Sequence, residues 1–211
     1  MYDPTIQVVQ LRRRDIWRDL ARIISTIFNP FLTALALFVV LALLKSTSIV
    51  DFWRLLFIST FFTSIGPMLY VFWLYASDRV SDLDMSQRHE RESVFFSFVI
   101  FYLVGTAVLW LVHAPLLLVA TMAGYTLSTV VVQYITRYWK ISTHALGITA
   151  PLVVLTFLYG RAPLPFFVLI PMVGWARVYL RAHTVMQVIA GCALAIGSVY
   201  ALFYAFHLVS F

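Results

Sequence analysis

Three polar clusters interrupt the apolar sequence that follows a basic N-terminal segment, and each contains a histidine and at least two cationic side chains. They occupy residues 77–93, 137–144 and 176–187. Arginine and lysine hold the oxygens of a phosphate group, and arginine does so through a planar fork of N–H donors. One histidine can attack phosphorus as a nucleophile while a second protonates the leaving oxygen. The residue types of the clusters therefore indicate phosphoryl transfer.

Six residues at the edges of the apolar runs could supply this chemistry. They are Arg91, Lys140, Ser142, His144, Arg177 and His183. Ser142 and the backbone N–H groups at the start of the following helix would donate to phosphate oxygens. Structural alternatives remain open: Ser142 suits a helix N-cap, His144 can be a capping polar residue, and Arg177 can be a membrane-surface anchor.

The rest of the chain must position these clusters, and its composition indicates that lipid surrounds it. Of 211 residues, 62% are hydrophobic and 11% are charged, which is more apolar surface than a soluble domain of this size could bury. Helices satisfy their own backbone in lipid. The sequence therefore predicts an all-α, polytopic transmembrane helical bundle with about six to seven spans. The apolar runs lie at 22–44, 53–77, 94–112, 115–136, 145–160, 164–176 and 185–209.

A basic amphipathic segment over residues 1–21 precedes the bundle, which occupies 22–211. Trp17, Leu20 and Ile24 would share one face of a helix that lies at the membrane interface. Within the bundle, some runs carry prolines that are expected to kink them. These are Pro30, Pro67, Pro151 and Pro171.

The distribution of cations predicts the orientation in the membrane. The formal net charge is +6, and because the cations lie at the ends of apolar runs, they indicate membrane lipids rather than nucleic acid as partners. With seven spans, all but Lys45, Arg54 and Arg161 of the 15 lysines and arginines fall on one side. That side is expected to be cytoplasmic and to include the N-terminus. We expect an integral, multi-pass protein of a bacterial or archaeal cell membrane.

The third cluster carries the clearest family signature. Arg177, five residues, His183, three residues and Gln187, followed by Ala190-Gly191, resembles the last signature of the type 2 phosphatidic acid phosphatase (PAP2) superfamily, Ser-Arg-x5-His-x3-Asp. Gln187 stands at the aspartate position, where its oxygen can accept a hydrogen bond from the histidine ring but carries no charge.

The two other clusters resemble the remaining signatures less closely. Ile141-Ser142-Thr143-His144 is similar to Pro-Ser-Gly-His, and the first cluster matches Lys-x6-Arg-Pro only at Arg91, since Asp84 and Glu92 stand at the lysine and proline positions. Lys140 could supply the ammonium group that Asp84 does not.

The resemblance implies an integral membrane lipid-phosphate phosphatase that forms a phosphohistidine. It implies His183 as the nucleophile, Gln187 as the group that holds its ring, and His144 as the acid and base. Arg91 and Arg177 are implied as phosphate ligands, as are Lys140 and Ser142. Neither a cofactor nor a metal is expected, and the substrate would be a polyprenyl phosphate or diphosphate, or a phosphatidate. A homo-oligomer or a complex with other membrane proteins is left open.

Two other functions remain as alternatives. A catalytically degenerate PAP2-like subunit or lipid-binding scaffold would explain the replaced aspartate and lysine. A magnesium-dependent prenyl or alcohol transferase would use Asp78, Asp82 and Asp84, but such enzymes carry two aspartate-rich motifs and no acidic residue follows Glu92. Those aspartates can instead pair with neighbouring arginines.

Overall fold

The computed structural model describes residues 15–82 and 88–208, and within these ranges the chain is helical without any strand. Nine α-helices follow one another. They are α1 Ile16–Ile27, α2 Pro30–Lys45, α3 Ile49–Thr60, α4 Gly66–Ala76, α5 Arg88–Leu111, α6 Leu116–Thr136, α7 Thr143–Tyr159, α8 Leu169–Tyr179 and α9 Val185–Ala205. A π-helical turn, Phe61–Ile65, joins α3 to α4, and a 3₁₀ turn, Leu164–Val168, leads into α8. Within the described residues, each of the seven predicted apolar runs is mainly helical, which confirms the predicted helical membrane bundle.

The run expected as one helix over 22–44 is two helices, α1 and α2, which meet at 44°. Helix α1 ends at Ile27. Asn29 caps α2, because its side chain accepts hydrogen bonds from the two backbone N–H groups that follow Pro30. Pro30 starts α2 at a position where its missing N–H costs nothing. The expected kink at Pro30 is therefore present. Of the amphipathic segment predicted over 1–21, residues 1–14 lie outside the described part of the chain, and α1 extends beyond residue 21 to Ile27.

Helix length separates the runs into two groups. Four helices are long and apolar enough to cross a membrane, and they cover Ile49–Ala76, Glu90–Leu111, Leu116–Thr136 and Val185–Ala205. The bent pair α1–α2 gives a fifth candidate. Two runs of the predicted six to seven spans, α7 and Leu164–Tyr179, are shorter apolar helices. The 17 residues of α7 rise about 25 Å, compared with a hydrocarbon core of about 30 Å.

Three helix pairings determine where the polar clusters lie. Helix α5 packs on α6, α7 packs on α9, and α1 packs on α8. A small apolar cluster fastens the last pair to the bundle, with members from α1, α7 and α8. They are Ala21, Ile24, Ile148, Leu152, Val173 and Ala176. Because α1 joins this cluster, the N-terminal helix lies beside the third polar cluster although the two are far apart in sequence.

Candidate active site

The connection from α8 to α9 fixes the spacing between Arg177 and His183. The carbonyl of Arg177 accepts hydrogen bonds from the backbone N–H groups of Ala182, at 3.0 Å, and His183, at 3.2 Å. The N–H of Arg181 donates to Val178 at 2.9 Å, and Arg181 has a φ of 56°. This is the Schellman arrangement that ends many helices. It turns the chain so that the guanidinium and the imidazole, six residues apart, line the same cavity.

Gln187 holds the ring of His183 through the cap of helix α9. Thr184 is the N-cap residue, and the Gln187 side-chain oxygen accepts a hydrogen bond from its backbone N–H at 3.1 Å. The same oxygen lies 3.1 Å from Nδ1 of His183. Since this oxygen can only accept, Nδ1 must carry the proton. The lone pair in the plane of the His183 ring is then on Nε2, so Nε2 is the nitrogen that can act as a nucleophile.

The start of α7 brings the second histidine into the same region. Ser142 is the N-cap residue, and its hydroxyl oxygen accepts a hydrogen bond from Ala145 N at 3.3 Å. Its own backbone N–H donates to the Gln187 carbonyl at 3.1 Å, which ties the start of α7 to α9. A Cβ at Gly191 would overlap the Ser142 carbonyl oxygen, so only glycine permits this approach of the two helices.

A cavity of about 770 Å³ brings the polar clusters together. Five of the predicted site residues line it: Arg91, Lys140, His144, Arg177 and His183. Ser142 is fully buried and is not part of the lining. Gln187 also lies outside the lining, behind the ring that it holds. The structure thus places five predicted residues at the cavity wall and two in supporting positions.

Burial and the positive charges around His183 keep its ring neutral. Burial lowers the pKa of His183 to about 3, and the charges of Arg177, Lys140 and Arg91 act in the same direction. The hydrogen bond with Gln187 opposes them only partly. An imidazole with this pKa is unprotonated at neutral pH, which is the state required for attack on phosphorus.

His144 is the second buried histidine of the cavity. His144 is 8% exposed, and its Nδ1 has no hydrogen-bond partner among the described residues. The ring forms a hydrogen bond with the backbone of Ser25, and the positive charges of Arg177 and Arg91 act on it electrostatically. Because a buried imidazole nitrogen normally finds a partner, this nitrogen is available to a group that enters the cavity.

Helix α1 contributes residues to the cavity that belong to none of the three sequence motifs. The hydroxyl of Ser25 accepts a hydrogen bond from a terminal nitrogen of Arg177 at 2.6 Å, and both residues are buried. Arg18 and Arg22, from the same helix, line the cavity. The sequence does show that α1 is basic and amphipathic, but it assigns that pattern to the membrane surface and not to the cavity.

The first polar cluster contributes Arg91 to the cavity, and Glu92 from the same cluster makes a contact between helices. Arg91 is 4% exposed, and its guanidinium lies 5.2 Å from the centre of the Phe95 ring. Glu92, at the proline position of the signature, accepts a hydrogen bond from Arg137 Nε at 2.9 Å. Asp84 lies outside the described residues. In the part of the chain that the structure describes, no three His, Cys, Asp or Glu side chains are grouped to hold a metal ion.

The cavity continues from the cationic residues into an apolar arm between α2, α4, α5 and α6. Phe31, Phe72, Phe95, Phe98 and Val132 form much of its wall. Tyr102 and Tyr125 also line it, with their ring centres 5.8 Å apart. One cavity therefore offers a cationic end for a phosphate and an apolar arm for a hydrocarbon chain.

A helical membrane protein whose cavity combines two histidines with several cations has the features of the PAP2 class. The model of the PAP2 superfamily matches residues 120–210 of this chain. This match supports membership of the superfamily and confirms the resemblance that the third cluster shows. Together with the apolar helices, it supports a membrane phosphatase of the PAP2 type in general. No curated protein and no solved structure matches the chain.

Proposed function

We propose that this protein is an integral membrane lipid-phosphate phosphatase that acts through a phosphohistidine at His183. The observation that carries the proposal is the contact between His183 Nδ1 and the Gln187 oxygen in a cavity lined by cations. It leaves Nε2 of a neutral imidazole as the nucleophile. The substrate is a polyprenyl phosphate or diphosphate, or a phosphatidate, with its phosphate at the cationic end and its chain in the apolar arm.

In the first step, Nε2 of His183 attacks phosphorus and the bond from phosphorus to the leaving oxygen breaks. Arg91, Lys140 and Arg177 hold the phosphate oxygens while negative charge shifts to the leaving group. His144 donates a proton to the leaving oxygen. The incoming phosphate offsets the positive field of the arginines around His144, so the ring can hold that proton in the complex.

In the second step, a water molecule attacks phosphorus and the bond from phosphorus to Nε2 breaks. His144, now neutral, takes a proton from the water. Inorganic phosphate leaves, and His183 returns to its starting state with the proton on Nδ1. The backbone N–H groups of Thr143 and His144 at the start of α7, next to the Ser142 cap, are further donors for phosphate oxygens.

Trapping of the phosphoenzyme tests both roles. The purified protein in detergent is mixed with a lipid phosphate that carries a radiolabelled phosphoryl group, quenched in base, and assayed for protein-bound label and for released phosphate. Wild type should release phosphate, and H183A should neither take up label nor release phosphate. H144A should release phosphate slowly, and any label that it takes up should leave the protein more slowly than in wild type, because His144 acts in both steps. R161Q is a matched control, since Arg161 lies outside the cavity lining. Release by H183A at the wild-type rate would contradict the mechanism.

A non-catalytic lipid-phosphate scaffold is the second candidate, and one observation favours it. Gln187 completes the capping box of α9, so its presence has a structural reason that requires no catalysis. If the protein were a scaffold, the wild type and H183A would bind lipid phosphates with similar affinity, and neither would release phosphate. The same labelling experiment therefore separates the two functions.

A further inference from the structure

Three arginines line the cavity beyond the ones assigned to the reacting phosphate. Arg18 and Arg22 come from α1, and Arg181 comes from the loop that carries His183. With Arg91, Lys140 and Arg177 they place six cations around one cavity, and no carboxylate is among the lining residues that the structure describes. A single phosphate carries at most two negative charges, so this lining has more positive charge than one phosphate group neutralises.

The position of Arg18 and Arg22 is fixed by the packing of α1 on α8. Trp17 meets Trp175 with ring centres 6.3 Å apart. The hydroxyl of Tyr179 donates to the carboxylate of Asp15 at 3.3 Å. Together with the apolar cluster of α1, α7 and α8, these contacts hold α1 against α8, so that Arg18 and Arg22 stay beside the cavity.

The opposite face of α1 is apolar and exposed. Ile16 is 75% exposed and Ile23 is 56% exposed, as expected for a face that contacts lipid. Arg22 lies 3.7 Å from Asp19 in an exposed pair, and such pairs are weak. An anion in the cavity can therefore compete with Asp19 for Arg22.

A second, independent observation concerns the leaving group. Gln187 is neutral, so it stabilises the positive charge that develops on His183 less well than a carboxylate would. Because attack by His183 receives less stabilisation, the reaction is expected to need a substrate whose leaving group is less basic. A phosphate monoester leaves as a weakly basic anion, with a second pKa of about 6, whereas an alcohol leaves as a far more basic alkoxide.

We propose that Arg18, Arg22 and Arg181 form a second anion subsite beside the reacting phosphate, and that the preferred substrate is a lipid diphosphate. This inference rests on the proposed function. Nε2 of His183 attacks the terminal phosphorus, the bridging P–O bond breaks, and the lipid monophosphate leaves with the bridging oxygen. Water then cleaves the phosphohistidine, so that lipid diphosphate and water give lipid monophosphate and inorganic phosphate. The second subsite holds the phosphate that stays on the lipid.

The test compares a prenyl diphosphate with the prenyl monophosphate of the same chain length. Both are assayed by phosphate release, with the wild type, the double variant R18Q/R22Q, R181Q and the control R54Q, which lies outside the cavity lining. Wild type should prefer the diphosphate. R18Q/R22Q should lower kcat/KM for the diphosphate by about tenfold or more, as expected for the loss of charged contacts at a partly exposed site, and change the monophosphate value less than threefold. R181Q should show the same selectivity, and R54Q should show no effect.

Two outcomes would overturn the subsite and leave the phosphatase proposal standing. One is an equal loss for both substrates, which would place the arginines at the reacting phosphate. The other is a loss seen only in vesicles with anionic lipid and absent in neutral detergent, which would make them membrane-headgroup ligands. Wild-type protein that hydrolyses neither substrate would instead contradict the proposed function. Thermal unfolding of each variant in detergent confirms that the fold is retained.

Discussion

Gln187 offers the sharpest test of how the site works, because glutamate is a matched replacement at this position. Glutamate has the same reach, and it is the other residue that completes a capping box. In Q187E the carboxylate would accept from Thr184 N and from His183 Nδ1, as the amide oxygen does at 3.1 Å. The change therefore adds a charge while keeping the geometry.

The expected gain follows from the strength of that one hydrogen bond. A hydrogen bond to a charged group contributes roughly 1.5–3 kcal/mol, compared with about 1 kcal/mol for a neutral one. The charge matters most when His183 becomes positive, so about 1–1.5 kcal/mol should appear as a lower barrier. This corresponds to a rise in kcat of about tenfold. The Q187L variant loses the acceptor and should fall well below wild type.

The assay is kcat for phosphate release from a lipid phosphate in detergent, measured beside the thermal unfolding temperature. T184V is the control for helix capping, since it removes the N-cap hydroxyl but leaves the contact between Gln187 and His183 in place. It should lose about 1 kcal/mol of stability with little change in kcat. If Q187E were as stable as wild type but no faster, the bond from Gln187 to His183 would have no catalytic role.

Three further predictions concern packing, the arginine clamp and pH. G191A should lower stability by about 1–3 kcal/mol, because its Cβ would overlap a backbone carbonyl at the start of α7. G197A on the same helix is the control: its Cβ meets nothing within 4 Å, so its stability should be unchanged. Equal unfolding temperatures for the two variants would contradict the close approach of α7 and α9. S25A removes the 2.6 Å hydrogen bond to Arg177 and should raise KM severalfold with little change in kcat; an unchanged KM would mean that the serine does not position the guanidinium. The pKa of His183 is lowered from 6.5 to about 3. Between these two pH values the unfolded chain binds a proton on His183 that the folded protein does not bind. Each unit of acidification in this range should therefore lower the free energy of unfolding by up to about 1.4 kcal/mol. H183Q should flatten that decline when unfolding is followed against pH, and an unchanged slope would exclude His183 as its source.

The parts of the site that the sequence predicts are those formed by residues close together in the chain. Arg177, His183 and Gln187 lie within eleven residues, and one helix end followed by one helix start determines their geometry. A spacing pattern is sufficient to identify such a unit. The helical bundle is predictable for a similar reason, since long apolar runs in lipid can hardly form anything else.

The contribution of α1 could not be predicted, because it depends on packing between distant segments. Ser25 and Arg177 are separated by 152 residues, and no local pattern indicates that α1 lies against α8. The basic face of α1 also suits a membrane surface. A membrane-surface role therefore accounts for the presence of Arg18 and Arg22, and nothing in the sequence indicates that they line a cavity. The role of Ser142 remains a prediction: the structure shows its hydroxyl as a cap, and its contact with phosphate is untested.

The Schellman turn after α8 has a consequence for how the protein folds. The contacts that orient His183 join residues no more than six positions apart, so forming them closes only short loops and costs little chain entropy. Proteins that are rich in contacts of low sequence separation fold fast, and we expect the local contacts of His183 to form early. The nucleophile and its amide partner can therefore be in place before α7 and α1 dock. We therefore expect His144 and the arginines of α1 to join the site last, after the local contacts of His183 have formed.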